Sequence, residues 1–258
     1  MNITIIGSGN IGSALVNGLL QTPSIRPADI TLTDINVDAL NAFAVKGVTT
    51  TQNNAEAVRT ADIVVLCVKP YLVKDVIAGF LPSLAAKTLL VSFAAGVPLE
   101  QLKQYAGNRA LFRVIPNTAM AVNQSMTCIA TDGATPEQDK TVLDFFSLVG
   151  KAVKIDESLM NAATVVASCG TAFALRYLRA ATTAGVELGF RPTVAMNMIA
   201  QTMAGAAALI EASGKHPEEE IDKVTTPKGI TIKGLNELEH AGFSSAVMKG
   251  ILAAYNVF

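Results

Sequence analysis

The chain has 258 residues, half of them apolar, and a formal net charge of −1 at pH 7. This length suffices for one large domain or two modest ones, each with a buried core. The near-neutral charge supplies no basic field to attract nucleic acid or an anionic membrane, so we expect neither as a partner. The three scattered cysteines favour reduced core thiols in a cytoplasmic protein over a disulfide framework or a metal site. No charged leader precedes the first predicted strand, so no signal peptide is expected.

The N-terminal stretch has the pattern of a strand, a glycine turn and a helix. A β-branched run at residues 3–6 precedes Gly7-Ser8-Gly9-Asn10-Ile11-Gly12, and a helical pattern begins at Ser13. In such a G-x-G-x-x-G turn the first glycine permits the turn and the second lets a pyrophosphate approach the backbone. The third allows helix and strand to pack closely, and the helix N-terminus binds the phosphates. The stretch predicts a dinucleotide site, and a purely structural turn is the alternative.

A second predicted strand, residues 30–33, ends at Asp34. An acid about 20 residues beyond the last glycine accepts the ribose hydroxyls of NAD. No Arg or Lys follows until Lys46, so a 2′-phosphate would meet a carboxylate without a cationic partner. The spacing therefore favours NADH over NADPH. The alternative for Asp34 is a turn or cap residue ahead of a helix over residues 37–43.

The remainder of the first half alternates strands and helices, as in a doubly wound, mostly parallel sheet. Further strands are predicted at residues 48–50, 62–68, 88–92, 110–115, 126–130 and 152–155. Helices are predicted from Pro98 and at 136–149, and residues 53–56 have the pattern of a helix N-cap with an acidic first turn. Three strands end in short loops: Lys69-Pro70, Ala94-Ala95-Gly96 and Pro116-Asn117. Ligands of such sheets lie at the carboxyl ends of strands, so these loops are expected to line a site for a flat ring.

The pattern changes near residue 157, where strands disappear and apolar residues recur at helical spacing. We therefore predict a Rossmann-type domain over residues 1–156 and an all-helical domain over residues 157–258. Uncharged runs at residues 158–175 and 192–210 approach the length of a membrane span. Their polar residues favour helices buried against another subunit instead.

One loop of the helical half, residues 225–231, combines small hydroxyls, Pro and Gly ahead of a helix. This composition suits an anion site formed by backbone N–H groups, and a helix connector capped by Thr is the alternative. His216 is expected to cap a helix, and His240 to be an ordinary residue at a helix end. The sequence shows no metal-ligand spacing and no pattern of a nucleophilic triad.

Five motifs together resemble those of the pyrroline-5-carboxylate reductase family. They are Gly7-Ser8-Gly9-Asn10-Ile11-Gly12, Cys67-Val68-Lys69-Pro70, Ser92-Phe93-Ala94-Ala95-Gly96, Arg113-Val114-Ile115-Pro116-Asn117-Thr118 and Thr226-Pro227-Lys228-Gly229-Ile230-Thr231. Their order and spacing match over nearly the whole chain. The resemblance implies reduction of the cyclic imine pyrroline-5-carboxylate to L-proline by NADH or NADPH, the last step of proline biosynthesis. It also implies that the helical domain forms a homodimer, in some members assembled further into a decamer.

The resemblance assigns roles to individual residues. The dinucleotide would contact the glycine turn (Gly7, Ser8, Gly9, Asn10, Ile11, Gly12), Asp34, Asn54, Val68, Lys69, Pro70, Ala94, Ala95, Gly96 and, beside the nicotinamide, Asn117. The substrate carboxylate would be bound by Thr226, Gly229 and Ile230. Two residues would take part in catalysis, with Thr231 bonding the ring nitrogen and Glu157 lying near the substrate.

The chain departs from the family pattern in two places. Lys228 replaces the first glycine of a Pro-Gly-Gly sequence, and would either pair with the substrate carboxylate or point to solvent. A Ser-Gly-Ser-Gly-Pro-Ala-Tyr stretch becomes Ala-Ser-Cys-Gly-Thr-Ala-Phe at residues 167–173. Two alternatives therefore stay open: another two-domain reductase of small imino or keto acids, using Lys223 or Lys228 as general acid, and a non-catalytic dinucleotide-binding paralogue.

Overall fold

The computed structural model describes residues 1–257. These residues divide into a compact unit of residues 1–171 and a second unit of residues 172–257.

The first unit is organised by one sheet, which has eight strands within the described residues, in the order β3-β2-β1-β4-β5-β6-β7-β8. The strands are β1 (Ile3–Ile6), β2 (Ile30–Thr33), β3 (Thr49–Thr51), β4 (Ile63–Leu66), β5 (Leu89–Ser92), β6 (Leu111–Ile115), β7 (Ser125–Asp132) and β8 (Gly150–Lys154). Neighbouring strands are parallel except β6 and β7, which are antiparallel. The predicted mostly parallel sheet is confirmed.

Helices connect the strands and cover both faces of the sheet. They are α1 (Asn10–Leu19), α2 (Val37–Ala44), α3 (Asn54–Ala57), α4 (Val73–Phe80), α5 (Leu99–Ala106) and α6 (Pro136–Ser147). On one face, Leu15 and Leu19 of α1 share an apolar cluster with Ile5 of β1. On the other, Ile77 of α4 shares a cluster with Leu66 of β4. Burial on both sides explains why the central strands are apolar without alternation.

A helical segment follows the last strand: α7 (Met160–Ala163), a π-helical turn (Thr164–Cys169) and α8 (Gly170–Glu187). Met160 is fully buried in the apolar cluster that also contains Leu111 and Ile115 of β6. The packing therefore extends the first unit to residue 171, whereas the predicted boundary at residue 156 marks the end of the strand pattern. The domain boundary stays a prediction.

The second unit is helical, with the rest of α8, then α9 (Pro192–Ser213), α10 (Pro217–Lys223), α11 (Ile230–His240) and α12 (Phe243–Tyr255). Among residues 172–257, Ala195 is the one buried hydrophobic residue. Large side chains such as Leu188 and Met248 are exposed on this unit. The stretches Glu157–Glu187 and Pro192–Ser213 are long and apolar enough to span a membrane, a weak criterion that helices of soluble proteins also meet.

Candidate active site

The candidate site lies where the strand order reverses, at the adjacent carboxyl ends of β1 and β4. The backbone N–H of Gly7, directly after β1, donates to the Thr33 carbonyl at 2.8 Å. The N–H of Cys67, directly after β4, donates to the Ile6 carbonyl at 2.8 Å. Open α/β sheets bind their ligands at this topological switch point.

The glycine turn after β1 has the geometry that its sequence predicts. Gly7 has φ +105°, a conformation that favours glycine. A Cβ on Gly12 would lie 2.0 Å from the Gly7 carbonyl oxygen, so the start of α1 packs directly on the turn. A Cβ on Gly9 would meet no atom within 4 Å, so its backbone faces open space. The turn therefore has the form that a pyrophosphate requires.

Asp34 is bound to this turn. Its Oδ2 accepts from the Ser8 N–H at 2.6 Å and the Ser8 hydroxyl at 2.7 Å, and its Oδ1 accepts from the Asn36 N–H at 2.9 Å. Burial raises the pKa of Asp34, but the hydrogen bonds from Ser8 and Asn36 outweigh it and set the pKa below its usual range. The Asn36 side chain, not Asp34, caps α2. A negative charge is thus fixed beside the turn.

A cavity of about 580 Å³ opens at this point of the sheet. It brings together eleven of the predicted dinucleotide residues: Gly7, Gly9, Asn10, Ile11, Asp34, Asn54, Val68, Lys69, Pro70, Ala94 and Ala95. Its volume is in the range of cofactor sites. Asn54 is held by the Thr33 hydroxyl, which donates to its Oδ1 at 2.5 Å.

Four predicted dinucleotide residues do not line the cavity, namely Ser8, Gly12, Gly96 and Asn117. Ser8 instead holds Asp34, and Gly12 supports the turn. The Asn117 amide is engaged on both sides, because its Oδ1 accepts from the Ala119 N–H and its Nδ2 donates to the Ala167 carbonyl, each at 3.0 Å.

Sequence reasoning missed several apolar residues of the cavity. Ile35, Leu72 and Val76 line it, and the Ile35 side chain is 91% exposed. The Ile35 carbonyl accepts from Gln52 Nε2 at 2.9 Å, which fixes the backbone there. The sequence signal that could have identified Ile35 is its position, as an apolar residue directly after the acid that follows β2. These side chains give the cavity an apolar wall suited to a flat ring.

Glu157 lies elsewhere in the first unit, outside the residues that line this cavity. Its Oε1 accepts from the Leu99 N–H at 2.7 Å, at the start of α5, and from Arg113 Nη1 at 3.3 Å. The contacts are therefore structural, and its expected role near a substrate stays a prediction.

The loop before α11 is a tight turn in which the Gly229 N–H donates to the Thr226 carbonyl at 2.9 Å. Gly229 is the N-cap of α11, and no side chain caps this helix within the described residues. The alternative in which a Thr side chain caps α11 is therefore wrong, and the N–H groups in the first turn of α11 are open to an acceptor. Lys228 is exposed with φ +61°, in the conformation that favours glycine.

The histidines and lysines of the second unit have ordinary surroundings. His216 caps α10 by accepting from the Glu218 N–H at 3.3 Å, and His240 lies in the last turn of α11, as predicted. Lys223 Nζ donates to Glu220 Oε1 at 2.6 Å. Among residues 1–257, no group of three or more His, Cys, Asp or Glu side chains is placed to hold a metal ion.

Comparison with known proteins places the chain among relatives. The family described as "Pyrroline-5-carboxylate reductase dimerisation" matches residues 157–258, and "NADP oxidoreductase coenzyme F420-dependent" matches residues 2–96. A pyrroline-5-carboxylate reductase of Glycine max is 36% identical over 96% of this chain and 92% of its own length. This chain belongs to the pyrroline-5-carboxylate reductase family.

Two further relatives of the pyrroline-5-carboxylate reductase family agree with this placement. Pyrroline-5-carboxylate reductase 1 of Dictyostelium discoideum is 35% identical over 98% of this chain, which spans only 48% of that longer protein. The crystal structure of Plasmodium falciparum pyrroline carboxylate reductase with NADP bound has a TM-score of 0.89 and 26% identity, covering 99% of this chain and 96% of that one. The sequence-based prediction of the family is thereby confirmed, and the chain is a nicotinamide-dependent oxidoreductase of this family.

Proposed function

We propose that this chain reduces 1-pyrroline-5-carboxylate to L-proline with NADH or NADPH, the last step of proline biosynthesis. The observation that carries the proposal is the glycine turn and its cavity at the switch point, in a chain of this family. The chain's residues suit a dinucleotide, since the backbone at Gly9 is open and Asp34 stands beside the turn. When bound, the dinucleotide supplies the hydride that reduces the C=N carbon.

The loop before α11 is proposed to bind the substrate. The N–H group of Ile230 and the Thr226 hydroxyl would donate to the carboxylate. The Gly229 N–H, also expected to donate there, is instead engaged by the Thr226 carbonyl at 2.9 Å. Lys228 has no ion-pair partner among the described residues, and it would add a cation for the same carboxylate. Thr231, in the first turn of α11, would accept a hydrogen bond from the protonated ring nitrogen.

The proton of the reaction is proposed to arrive with the substrate. Protonated imines are the better electrophiles, and a carboxylate such as Glu157 would favour the charged form. Lys223, a candidate general acid of related reductases, is paired with Glu220, which argues against that alternative chemistry. Turnover should then decline above neutral pH as the imine loses its proton. A flat profile into alkaline pH would contradict this route.

NADH is proposed as the preferred cofactor, because the Asp34 carboxylate is ionised and fixed beside the turn. A cytoplasmic homodimer is proposed as the working form. The exposed apolar side chains of α8, α9 and α12 would be covered by a second copy rather than by a membrane. Light scattering of the purified chain tests this, with a dimer or a decamer as the supporting results and a monomer as the contradicting one.

The experiment that tests the activity follows NADH absorbance during incubation with pyrroline-5-carboxylate. The result expected is oxidation of NADH and formation of L-proline, with little reaction when a small keto acid replaces the imine. Turnover of the keto acid alone would support the other class of two-domain reductase. NADH binding without turnover of either compound would indicate a non-catalytic paralogue.

A further inference from the structure

Arg113 is a charged residue in the middle of the sheet. It lies on β6 between Leu111 and Ile115 on the same face, and it is only 5% exposed. Its Nε is buried without a hydrogen-bond partner among the described residues. A buried guanidinium with incomplete hydrogen bonding is costly compared with an apolar side chain. Its presence on this strand therefore calls for a reason other than core packing.

The two remaining nitrogens of Arg113 join β6 to the segment that follows β8. Nη2 donates to Asn161 Oδ1 at 2.9 Å, and Nη1 donates to Glu157 Oε1 at 3.3 Å. Residues four apart lie on one face of a helical turn, so the planar fork of one arginine spans that turn. Glu157 also accepts from the Leu99 N–H, which ties in the start of α5. A lysine lacks this rigid planar fork and is not an equivalent residue here.

The loop that directly follows β6 contacts the same segment a second time, through Asn117. This buried amide donates to the carbonyl of Ala167, which lies in the π-helical turn Thr164–Cys169. Turns of this kind are rare and frequently occur at functional sites. Arg113 holds the beginning of the segment, and Asn117 holds its π-helical turn.

We propose that Arg113 is a positioning residue for the reduction. It fixes residues 157–161 on β6 and so sets the register of the π-helical turn, whose Ala167 carbonyl orients the Asn117 amide. The kinetic part of this inference rests on the proposed function, in which Asn117 lies beside the nicotinamide. The structural part does not depend on it.

The test compares Arg113→Met with Val114→Ala, a control on the opposite face of the same strand that leaves these polar contacts and the apolar cluster around Met160 intact. Hydrogen exchange of residues 160–171 is measured without substrate, and kcat and NADH affinity are measured where all variants are folded. Arg113→Met should accelerate exchange in this segment and lower kcat by about tenfold or more, with NADH affinity kept within about twofold. Val114→Ala should lower the melting temperature with little change in kcat or in this exchange, because Val114 is buried in the apolar cluster on the other face of the sheet. If Arg113→Met does not fold, Arg113→Lys takes its place and should show smaller changes in the same direction.

Unchanged exchange at residues 160–171 in the Arg113 variant would overturn the proposal. So would an equal loss of kcat in Val114→Ala, an unchanged kcat in the Arg113 variant, or a parallel loss of NADH affinity. If the unmodified chain does not turn over pyrroline-5-carboxylate, the proposed function fails. The hydrogen-exchange measurement then tests by itself whether Arg113 fixes residues 157–161 on β6.

Discussion

At the scale of single residues, the pair of Ser8 and Asp34 links the glycine turn to the choice of cofactor. Both donors of Ser8, its N–H and its hydroxyl, point to one oxygen of the carboxylate. These bonds hold the pKa of Asp34 below its usual range although burial raises it. Because a carboxylate is charged above its pKa, the charge persists through neutral and mildly acidic pH. Its contribution to stability is complete above the unfolded-state pKa, about 3.9, and is lost as pH falls through the lower folded-state value.

Replacement of Asp34 by Ser should reduce the preference for NADH over NADPH by about tenfold or more, since a charge-assisted contact to the ribose and a repulsion are both removed. The ratio of kcat/KM for the two cofactors measures this. Ser8→Ala, which removes a donor but keeps the charge of Asp34, is the control and should retain more of the preference. An unchanged ratio in Asp34→Ser would show that this residue does not select the cofactor.

Thr231 tests the substrate side of the proposal. Thr231→Ala should lower kcat with pyrroline-5-carboxylate by about tenfold or more, because a buried hydrogen-bond donor of the substrate loses its acceptor. NADH affinity, followed by fluorescence titration, should not change. Thr231→Ser keeps the hydroxyl and should retain most of the activity. Equal activity of the Ala and Ser variants would remove this hydroxyl from the mechanism.

At the scale of elements, two glycines of the turn between β1 and α1 allow an effect on stability to be distinguished from an effect on cofactor binding. A Cβ at position 12 would collide with the Gly7 carbonyl, whereas a Cβ at position 9 has open space. Gly9→Ala should therefore keep its melting temperature but weaken NADH binding by about tenfold or more, because the methyl group would occupy the place proposed for the pyrophosphate. Gly12→Ala should lose stability as well, as seen by thermal unfolding. NADH binding unaffected in Gly9→Ala would contradict the assignment of the turn.

In the turn before α11, Lys228 has a backbone conformation that is unfavourable for a residue with a side chain. Pro227 and Lys228 are its central residues, and the left-handed conformation of Lys228 costs about 1–2 kcal/mol for a residue with a Cβ. Lys228→Gly should therefore not lower the melting temperature, while KM for the substrate rises about tenfold through loss of the cation. Lys228→Met keeps the strain and should show the same rise in KM. If KM is unchanged in both variants, Lys228 points to solvent and contributes no binding.

At the scale of the whole molecule, local patterns predicted most of the first unit. The strands, the glycine turn and Asp34 follow from short-range rules, so they were recognised in the sequence with small errors at strand ends. The antiparallel pairing of β6 with β7 was not recognised in the sequence, because it is decided by packing between distant segments. The partners of Arg113 at positions 157 and 161 were missed for the same reason. Only Cys128 is buried among the three cysteines expected in the core.

The central claim is that this chain delivers a hydride from its nicotinamide cofactor to the imine carbon of pyrroline-5-carboxylate. Incubation with NADH deuterated at the transferable C4 position tests it most directly, with the product analysed by mass spectrometry and NMR. The proposal predicts L-proline that carries a single deuterium on the ring carbon that was double-bonded to nitrogen. Proline without deuterium, or no proline while the deuterated NADH remains bound and unoxidised, would contradict it.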